Sequence, residues 1–167
     1  MVSYKKTLFY LLLLFLLSAA GVQGGEFETV LGKAERGDPN AQNYLALMYA
    51  RGDGVKQDFG QALKWFKAAA KKGHASASNS IGLMYFKGVG VMKDYNLALA
   101  AFTKAAKQGY AGAQYNLGMM YYKGSYDPYG KKGVKQDYTQ AFNWFKKAAK
   151  QGHGGSHNSI SLMYLKG

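Results

Sequence analysis

The chain contains no cysteine, and this absence excludes disulfide scaffolds and thiolate metal sites. It also contains neither a Gly-x-Ser-x-Gly elbow nor a phosphate-binding loop, so those two catalytic motifs are missing. Acidic residues are scarce, with nine against 22 lysines and arginines in 167 residues. The sequence therefore predicts a protein that is not an enzyme and holds no cofactor or metal ion.

No apolar run reaches the length of about 20 residues that a membrane-spanning helix needs. The longest run, Leu8 to Leu17, follows two lysines and is followed by small residues. This order predicts a secretory signal over residues 1–24, cleaved after Ala20 or Gly24. The mature protein would then be periplasmic or secreted, or lie in the endoplasmic reticulum lumen of a eukaryote. An uncleaved membrane anchor is the alternative, and a lipoprotein anchor would need a cysteine.

The excess of positive charge has two interpretations. A formal charge of +13 favours an anionic partner such as nucleic acid, anionic lipid or an acidic protein. Export argues against nucleic acid. The simpler interpretation places lysines in the last turns of helices, where they complement the helix dipole, and Asp58, Asp94 and Asp137 at helix starts, where they cap free amides. Membrane contact is expected only through the signal segment before its cleavage.

The chain repeats itself at a fixed interval of 36 residues. Tyr49, Tyr85 and Tyr121 keep this step, and two series of glycines keep it as well. A period of this length is typical of stacked helix pairs, because a single pair cannot bury its own apolar face. The sequence therefore predicts an all-helical array whose neighbouring repeats share one apolar seam.

Each repeat begins with an amphipathic helix. Ala41, Leu45 and Met48 fall on one face at helical spacing. One position stays small in every repeat, so that a neighbouring helix can approach closely; it holds Ala46, Gly82, Gly118 and Ser161. The predicted first helices run from Asn40 to Arg51, Ser76 to Lys87, Gly112 to Lys123 and Gly155 to Lys166.

A glycine turn and a second helix complete each repeat. Trp65 and Trp144 lie on the apolar stripe of their second helices, so we expect them in the core rather than in a ligand site. The glycines that close these helices are Gly73, Gly109 and Gly152. The predicted second helices run from Asp58 to Lys72, Asp94 to Gln108 and Asp137 to Gln151.

About eight helices follow from this division: a lone one, three pairs and a lone first helix. The segments are a partial helix at 25–37, repeats at 38–73, 74–109 and 110–152, and a partial repeat at 153–167. The third repeat carries a seven-residue insertion within residues 125–133, which is either a neutral loop or a contact-rich turn. The stop at Gly167 marks either an end cap or a truncated chain.

A known family shares this residue pattern. Ala41 to Gly73 closely follows Ala-x-x-x-Leu-Gly-x-Met-Tyr-x-x-Gly-x-Gly-Val-x-x-Asp-x-x-x-Ala-x-x-Trp-x-x-x-Ala-Ala-x-x-Gly, and the next two repeats depart from it at few positions. The pattern resembles the Sel-one-like repeat (SLR) family, a relative of the tetratricopeptide repeat. The resemblance implies a right-handed α/α superhelix, or solenoid, of antiparallel helix pairs that serves as an adaptor or scaffold. A cysteine-rich branch is associated with β-lactams, but its paired cysteines are absent.

If packing follows the tetratricopeptide relative, the first helices line a concave groove. The face opposite Leu45 then offers rows of amide or phenol, apolar and cationic side chains, which suit the backbone, side chains and carboxylates of a peptide. The alternative is that these residues form an ordinary surface. We expect Tyr115, Met119 and Tyr122 to form the central anchor, with both tyrosines replaceable by alanine at nearly unchanged melting temperature. The predicted ligand-binding residues are Asn43, Leu47, Arg51, Asn79, Leu83, Phe86, Lys87, Tyr115, Met119, Tyr122, Lys123 and Asn158.

Two histidines are spaced like a zinc pair. His153 and His157 are four residues apart, but no glutamate lies between them and His153 is predicted to precede its helix. His74 stands at the position of His153 in an earlier repeat, which favours a role in the repeat itself. We therefore predict no metal site here.

Two functions remain after these exclusions. The sequence favours an exported, non-catalytic adaptor that binds a protein or extended peptide, with acidic segments preferred by the cationic row. The alternative is an envelope hydrolase or binding protein for cell-wall fragments or β-lactams, which steady turnover of nitrocefin would reveal. An incomplete copy without an activity of its own is the third interpretation.

Overall fold

Helices make up most of the structure. The computed structural model describes residues 25–126 and 133–165, and eight helices occur in this part of the chain. They are residues 25–35 (α1), Pro39–Arg51 (α2), Phe59–Lys71 (α3), Ala75–Lys87 (α4), Tyr95–Lys107 (α5), Ala111–Lys123 (α6), Tyr138–Ala149 (α7) and Gly154–Leu165 (α8). Their bounds agree within two residues with those predicted. The signal segment, most of the inserted loop and the end of the fourth repeat lie outside the described residues.

The second helices begin at aspartates, as predicted. The Asp94 carboxylate accepts hydrogen bonds from the backbone amides of Asn96 and Leu97, both at 2.9 Å. Asp58 and Asp137 each accept one such bond at 2.9 Å. These bonds satisfy amides that have no partner inside the helix, which is why each helix begins at this residue. The same helices are followed by glycines in left-handed conformation, at Gly73, Gly109 and Gly152.

The first helices use a different set of caps, which the sequence did not reveal. The Asp38 side chain accepts from two backbone amides at the start of α2. His74 caps α4 through its ring, because Nδ1 accepts a hydrogen bond of 3.2 Å from the Ala77 amide. Tyr110 precedes α6 without a side-chain cap. The residue before the first helix therefore differs from repeat to repeat, while the helix begins at the same repeat position each time.

One hydrogen bond closes the turn inside every repeat. The backbone amide of the capping aspartate donates to a tyrosine carbonyl near the end of the first helix. These bonds join Asp58 to Tyr49 at 2.9 Å, Asp94 to Tyr85 at 3.0 Å and Asp137 to Tyr121 at 2.8 Å. Gly52 and Gly88 reverse the chain with φ of 80° and 73°, which a side chain would strain. The periodic glycines and aspartates thus build one turn repeatedly.

The third turn contains the insertion and closes it with a short ladder. Ser125–Tyr126 (β1) pairs antiparallel with Gly133–Val134 (β2). Val134 is buried and belongs to the same core cluster as Phe102. Because the Asp137 amide still reaches Tyr121, the insertion leaves the ends of α6 and α7 arranged as in the other repeats.

The chain divides into two compact units, with the boundary between Trp65 and Phe66 inside α3. The first unit has a small apolar core built from α1, α2 and the start of α3. Its buried residues are Ala34, Ala41, Leu45 and Met48, with Phe27, Tyr49 and Trp65 half-buried against them. Phe27 meets the edge of the Tyr49 ring at 5.8 Å. The lone helix α1 therefore packs on the first full repeat.

The second unit contains the remaining helices, each packed against its neighbours in sequence. One core cluster of this unit contains Ala98, Phe102, Ala105, Ala106, Ala113, Leu117, Met120 and Val134. Tyr85, Tyr121 and Trp144 are half-buried against it. Trp65 and Trp144 thus contribute to the cores, as predicted, and the periodic tyrosines Tyr49, Tyr85 and Tyr121 do so as well; all five are only half-buried. No helix in residues 25–126 and 133–165 has the length and apolar character needed to cross a bilayer.

Candidate functional site

A cavity of about 280 Å³ lies between the first helices of the second and third repeats. It is lined by Leu83, Phe86, Lys87, Phe102, Tyr115, Asn116, Met119 and Lys123. Six of these residues were predicted to bind a ligand, and the other two, Phe102 and Asn116, were not. The structure therefore places half of the predicted set around one cavity.

Helical spacing explains how these side chains meet. Leu83, Phe86 and Lys87 lie three and four residues apart on α4, so they share one face. Met119 and Lys123 do the same on α6. Both lysines lie at the ends of their helices, so the cavity is apolar near the middle of the helices and cationic at one rim.

The floor of the cavity depends on a glycine. Phe102 of α5 is 1% exposed and contributes its ring to the lining. A Cβ atom at Gly82 would lie 2.5 Å from Cδ1 of this ring, so only glycine permits the observed contact. Gly118 and Phe145 repeat the contact at 2.5 Å in the next repeat. The predicted small position therefore controls how deep the floor lies.

Asn116 ties the two walls of the cavity together. Its Nδ2 donates a hydrogen bond of 2.8 Å to Oδ1 of Asn79, which is 8% exposed. The Asn79 oxygen therefore accepts a hydrogen bond inside the protein, whereas the sequence predicts that Asn79 faces a peptide backbone. Asn116 follows Tyr115 at a repeat position that holds Ser80 in the previous repeat, so periodicity gave no signal for it.

Tyr115 packs inside the protein as well as lining the cavity. Its ring stacks on His153 with centroids 4.6 Å apart and contacts Phe145 at 5.7 Å. Losing these contacts would weaken packing between α6, α7 and the start of α8. These contacts lead us to expect that Tyr115→Ala lowers the melting temperature, in contrast to the expectation from the sequence that it would stay nearly unchanged.

Tyr122 lies away from the cavity. Its ring contacts Tyr138 edge-on at 5.5 Å and Phe145 at 6.5 Å. Of the predicted anchor, Tyr115 and Met119 therefore line the cavity and Tyr122 does not. Leu83 and Phe86 line it beside Met119. Alanine at Tyr122 is also expected to lower stability, because both ring contacts are structural.

The rim lysines carry uncompensated charge. Lys87 and Lys123 are exposed, and neither has an acidic partner among the residues that the structure describes. Within residues 66–126 and 133–165 the acids are Asp94 and Asp137, and both serve as helix caps. An anionic group at this rim would therefore meet cations without competition from a nearby carboxylate.

The remaining predicted residues lie elsewhere. Asn43, Leu47 and Arg51 belong to α2 in the first unit, where Asn43 and Leu47 are half-buried. Oδ1 of Asn43 is buried without a hydrogen-bond partner in the described structure, and Arg51 lies 3.9 Å from the Asp53 carboxylate. Asn158 is exposed on α8 and does not line the cavity.

The two histidines considered for zinc have structural partners. Nδ1 of His153 lies 3.2 Å from Oγ of Ser156 at the start of α8, as expected for a residue that precedes the helix. Nδ1 of His157 lies 3.3 Å from the His153 carbonyl oxygen. Residues 25–126 and 133–165 contain no group of three or more histidines and acids placed to hold a metal ion.

Family and structural relatives agree with the repeat pattern. Residues 39–74, 75–110 and 111–153 each match the Sel1 repeat, the name under which the Sel-one-like repeat is described. A protective antigen of uropathogenic Escherichia coli with an SLR fold is 37% identical, with a TM-score of 0.77 over 84% of this chain and 28% of its own. This chain thus spans just over a quarter of that protein's length. A Sel1 repeat protein from Oxalobacter formigenes is 34% identical, with a TM-score of 0.70 over 81% of this chain and 97% of its own.

A more distant relative supports the fold alone. The Helicobacter pylori cysteine-rich protein B is 18% identical, with a TM-score of 0.64 over 81% of this chain and 95% of its own. No curated protein sequence matches the chain significantly. The matches to solved SLR structures confirm the predicted all-helical solenoid class. With three consecutive repeat matches over most of its length, the chain belongs to the Sel1 repeat family.

Proposed function

We propose that this protein is an exported, non-catalytic adaptor that binds an extended peptide or a protein segment on the exposed face of α4 and α6. The cavity lined by Leu83, Phe86, Met119 and the two rim lysines is the observation that carries the proposal. Family membership supports it, because the SLR resemblance implies adaptors and scaffolds. The E. coli relative is described as a protective antigen, which supports export.

The cavity fits one apolar side chain followed by an acidic group. Its floor of Leu83, Phe86, Phe102 and Met119 offers apolar contact, and a partly enclosed volume of about 280 Å³ accepts a leucine or an aromatic ring. Lys87 and Lys123 lie at the rim, where each can pair with a carboxylate of the partner. Specificity would then come from charge and affinity from the buried anchor.

Selection from a displayed library of random 12-residue peptides tests this proposal directly. The bait is the protein from residue 25 onward, and we expect enriched peptides to combine an apolar anchor with aspartate or glutamate. Met119→Gln should weaken the selected peptides at least about tenfold, because it places an amide in the apolar floor. The matched control is Met92→Gln, since Met92 is 91% exposed and outside the cavity.

Charge is tested by a second pair of variants. Lys87→Gln with Lys123→Gln should weaken acidic peptides and remove most of the salt dependence, whereas Lys107→Gln with Lys135→Gln should change little. If the selected peptides bind Met119→Gln and the Lys87→Gln, Lys123→Gln double variant as tightly as the wild type, the assigned cavity is refuted. Steady turnover of nitrocefin by the purified protein would refute the non-catalytic role.

A further inference from the structure

The second helices carry positive charge without negative charge. The segments α3, α5 and α7 contain lysines but no aspartate or glutamate. Each of these helices follows a capping aspartate, whose carboxylate binds backbone amides at the opposite end from the last-turn lysines. Lysines in a last turn are common because they complement the helix dipole, so charge alone does not mark a site.

Helix α7 combines its lysines with a tryptophan ring and an open surface depression. A depression of about 360 Å³ lies on the flank of α7 and its C-cap, lined by Gln140, Asn143, Trp144, Lys146, Lys147 and Lys150. Nζ of Lys147 lies 4.2 Å from the centroid of the Trp144 ring, within range of a cation–π contact. Trp144 also packs against the core cluster around Phe102 and is half-buried. Its ring is therefore held in place while part of it faces solvent.

The lysines of α7 are free to contact a partner, whereas a lysine at a matching position on α5 is hydrogen-bonded within the protein. Lys104 corresponds to Lys147, and its Nζ donates a hydrogen bond of 2.6 Å to the Ala70 carbonyl. Lys146, Lys147 and Lys150 are exposed and have no carboxylate partner in the described parts of the chain. One ammonium group therefore lies over the Trp144 ring, and the other two lysines line the same depression.

The shape of this depression favours an extended surface as the partner rather than a small molecule. All six lining residues come from one helix and its C-cap, so no second element encloses a small ligand from the other side. The cavity between α4 and α6, in contrast, has walls from several helices. A flat anionic surface can contact three lysines at once, and an indole with an apolar body and a polar N–H favours the membrane interface.

We propose that this face, defined as Trp144, Lys146, Lys147 and Lys150, rests on an anionic lipid surface. The lysine ammonium groups contact lipid phosphates, and the Trp144 ring lies at the level of the headgroups. The sequence alone limited membrane contact to the signal segment, so this inference extends contact to the folded part. It is independent of the peptide cavity, because the two sets of residues do not overlap.

Tryptophan fluorescence provides a direct test. The chain has two tryptophans, so Trp65→Phe leaves Trp144 as the sole indole. With this variant from residue 25 onward, we expect binding to vesicles of phosphatidylcholine with about 30% phosphatidylglycerol, and at least tenfold weaker binding to phosphatidylcholine alone. Lipids brominated near the headgroup should quench Trp144, and added salt should release the protein.

Matched charge variants locate the contact. Lys146→Gln, Lys147→Gln and Lys150→Gln together should weaken vesicle binding at least tenfold, while Lys56→Gln, Lys93→Gln and Lys135→Gln remove the same charge from the turns and should weaken it much less. Equal loss in both triple variants, or bound protein without quenching of Trp144, would overturn the proposal. Binding to soluble polyglutamate but not to vesicles would also overturn it, in favour of an acidic protein. Circular dichroism checks that each variant is folded.

Discussion

Two glycines, Gly82 and Gly118, decide how closely the helices of the second unit approach each other. Each lies against a phenylalanine ring of the following helix, Phe102 or Phe145, at a distance that leaves no room for a Cβ atom. Both rings are almost completely buried. The contact explains why the sequence keeps this position small, and the contact of Gly82 with Phe102 helps to place the floor of the cavity between α4 and α6.

Enlarging this position should destabilise the protein. We expect Gly118→Val to lower the free energy of unfolding by about 2 kcal/mol, because Phe145 must leave a well-packed position. Urea denaturation followed by circular dichroism measures the change. Gly154→Val is the control, since a Cβ at Gly154 has no neighbour within 4 Å. Equal losses in the two variants would contradict overlap with the Phe145 ring as the cause, because the control has no neighbour to displace and valine has a higher helix propensity than glycine.

The aspartate caps make a second prediction at this scale. Asp94→Ala removes the acceptor for two backbone amides and should cost about 1 kcal/mol of stability. Asp94→Asn keeps an oxygen in the same place and should stay close to the wild type. If both substitutions cost the same in thermal or urea denaturation, the charge of Asp94 would matter more than its hydrogen bonds.

Periodicity revealed the residues that repeats share and missed those that differ. The glycines, capping aspartates and apolar stripe were predicted because each occurs two or more times at a constant step. Asn116 and the stacking of Tyr115 on His153 were not, since each depends on a residue that changes from one repeat to the next. The recurrence of His74 at His153 indicated a role in the repeat, but not that His74 caps a helix. The same limit applies to the site: spacing predicted a shared face, but only coordinates show which side chains meet.

The turn of the third repeat shows how an element tolerates extra residues. The ladder of β1 and β2 brings the two ends of the insertion together, and the bond from Asp137 to Tyr121 is the one found in shorter turns. Removing residues 126–132 leaves Gly-Ser-Gly-Val-Lys-Gln-Asp, the same length as the turn from Gly52 to Asp58. The helix ends therefore do not depend on the insertion.

Deletion of residues 126–132 should accordingly leave folding intact. We expect the free energy of unfolding to change by less than about 1 kcal/mol, because shortening a surface loop has a small entropic effect. Circular dichroism spectra and cooperative thermal unfolding provide the measurement. Loss of a cooperative transition would show that the ladder and the inserted residues support the core.

For the molecule as a whole, stability is expected to be the sum of contacts between sequence neighbours. Helices of the second unit pack chiefly on the helix before and the helix after. The first unit has its own small core around Leu45. In arrays of this kind, damage in one place spreads through neighbouring interfaces and weakens with distance along the chain.

Hydrogen exchange should make this local behaviour visible. Leu117 is 1% exposed, and Leu117→Ala should cost about 2–5 kcal/mol through the cavity it leaves. Exchange should rise most in α6 and in its neighbours α5 and α7, and less in α2. Leu45→Ala gives the reciprocal experiment in the first unit, with α2 affected most. Uniform acceleration along the chain in both variants would indicate one cooperative block.

The short strand pair of β1 and β2 also makes the third turn a suitable place to insert a foreign sequence. Ser125 and Val134 are paired at the base of this loop. A foreign sequence placed between them would therefore begin and end at fixed points. Segments of different length or composition would therefore be displayed on a constant scaffold. An epitope or an affinity tag inserted there should be presented to antibodies without altering the helices on either side.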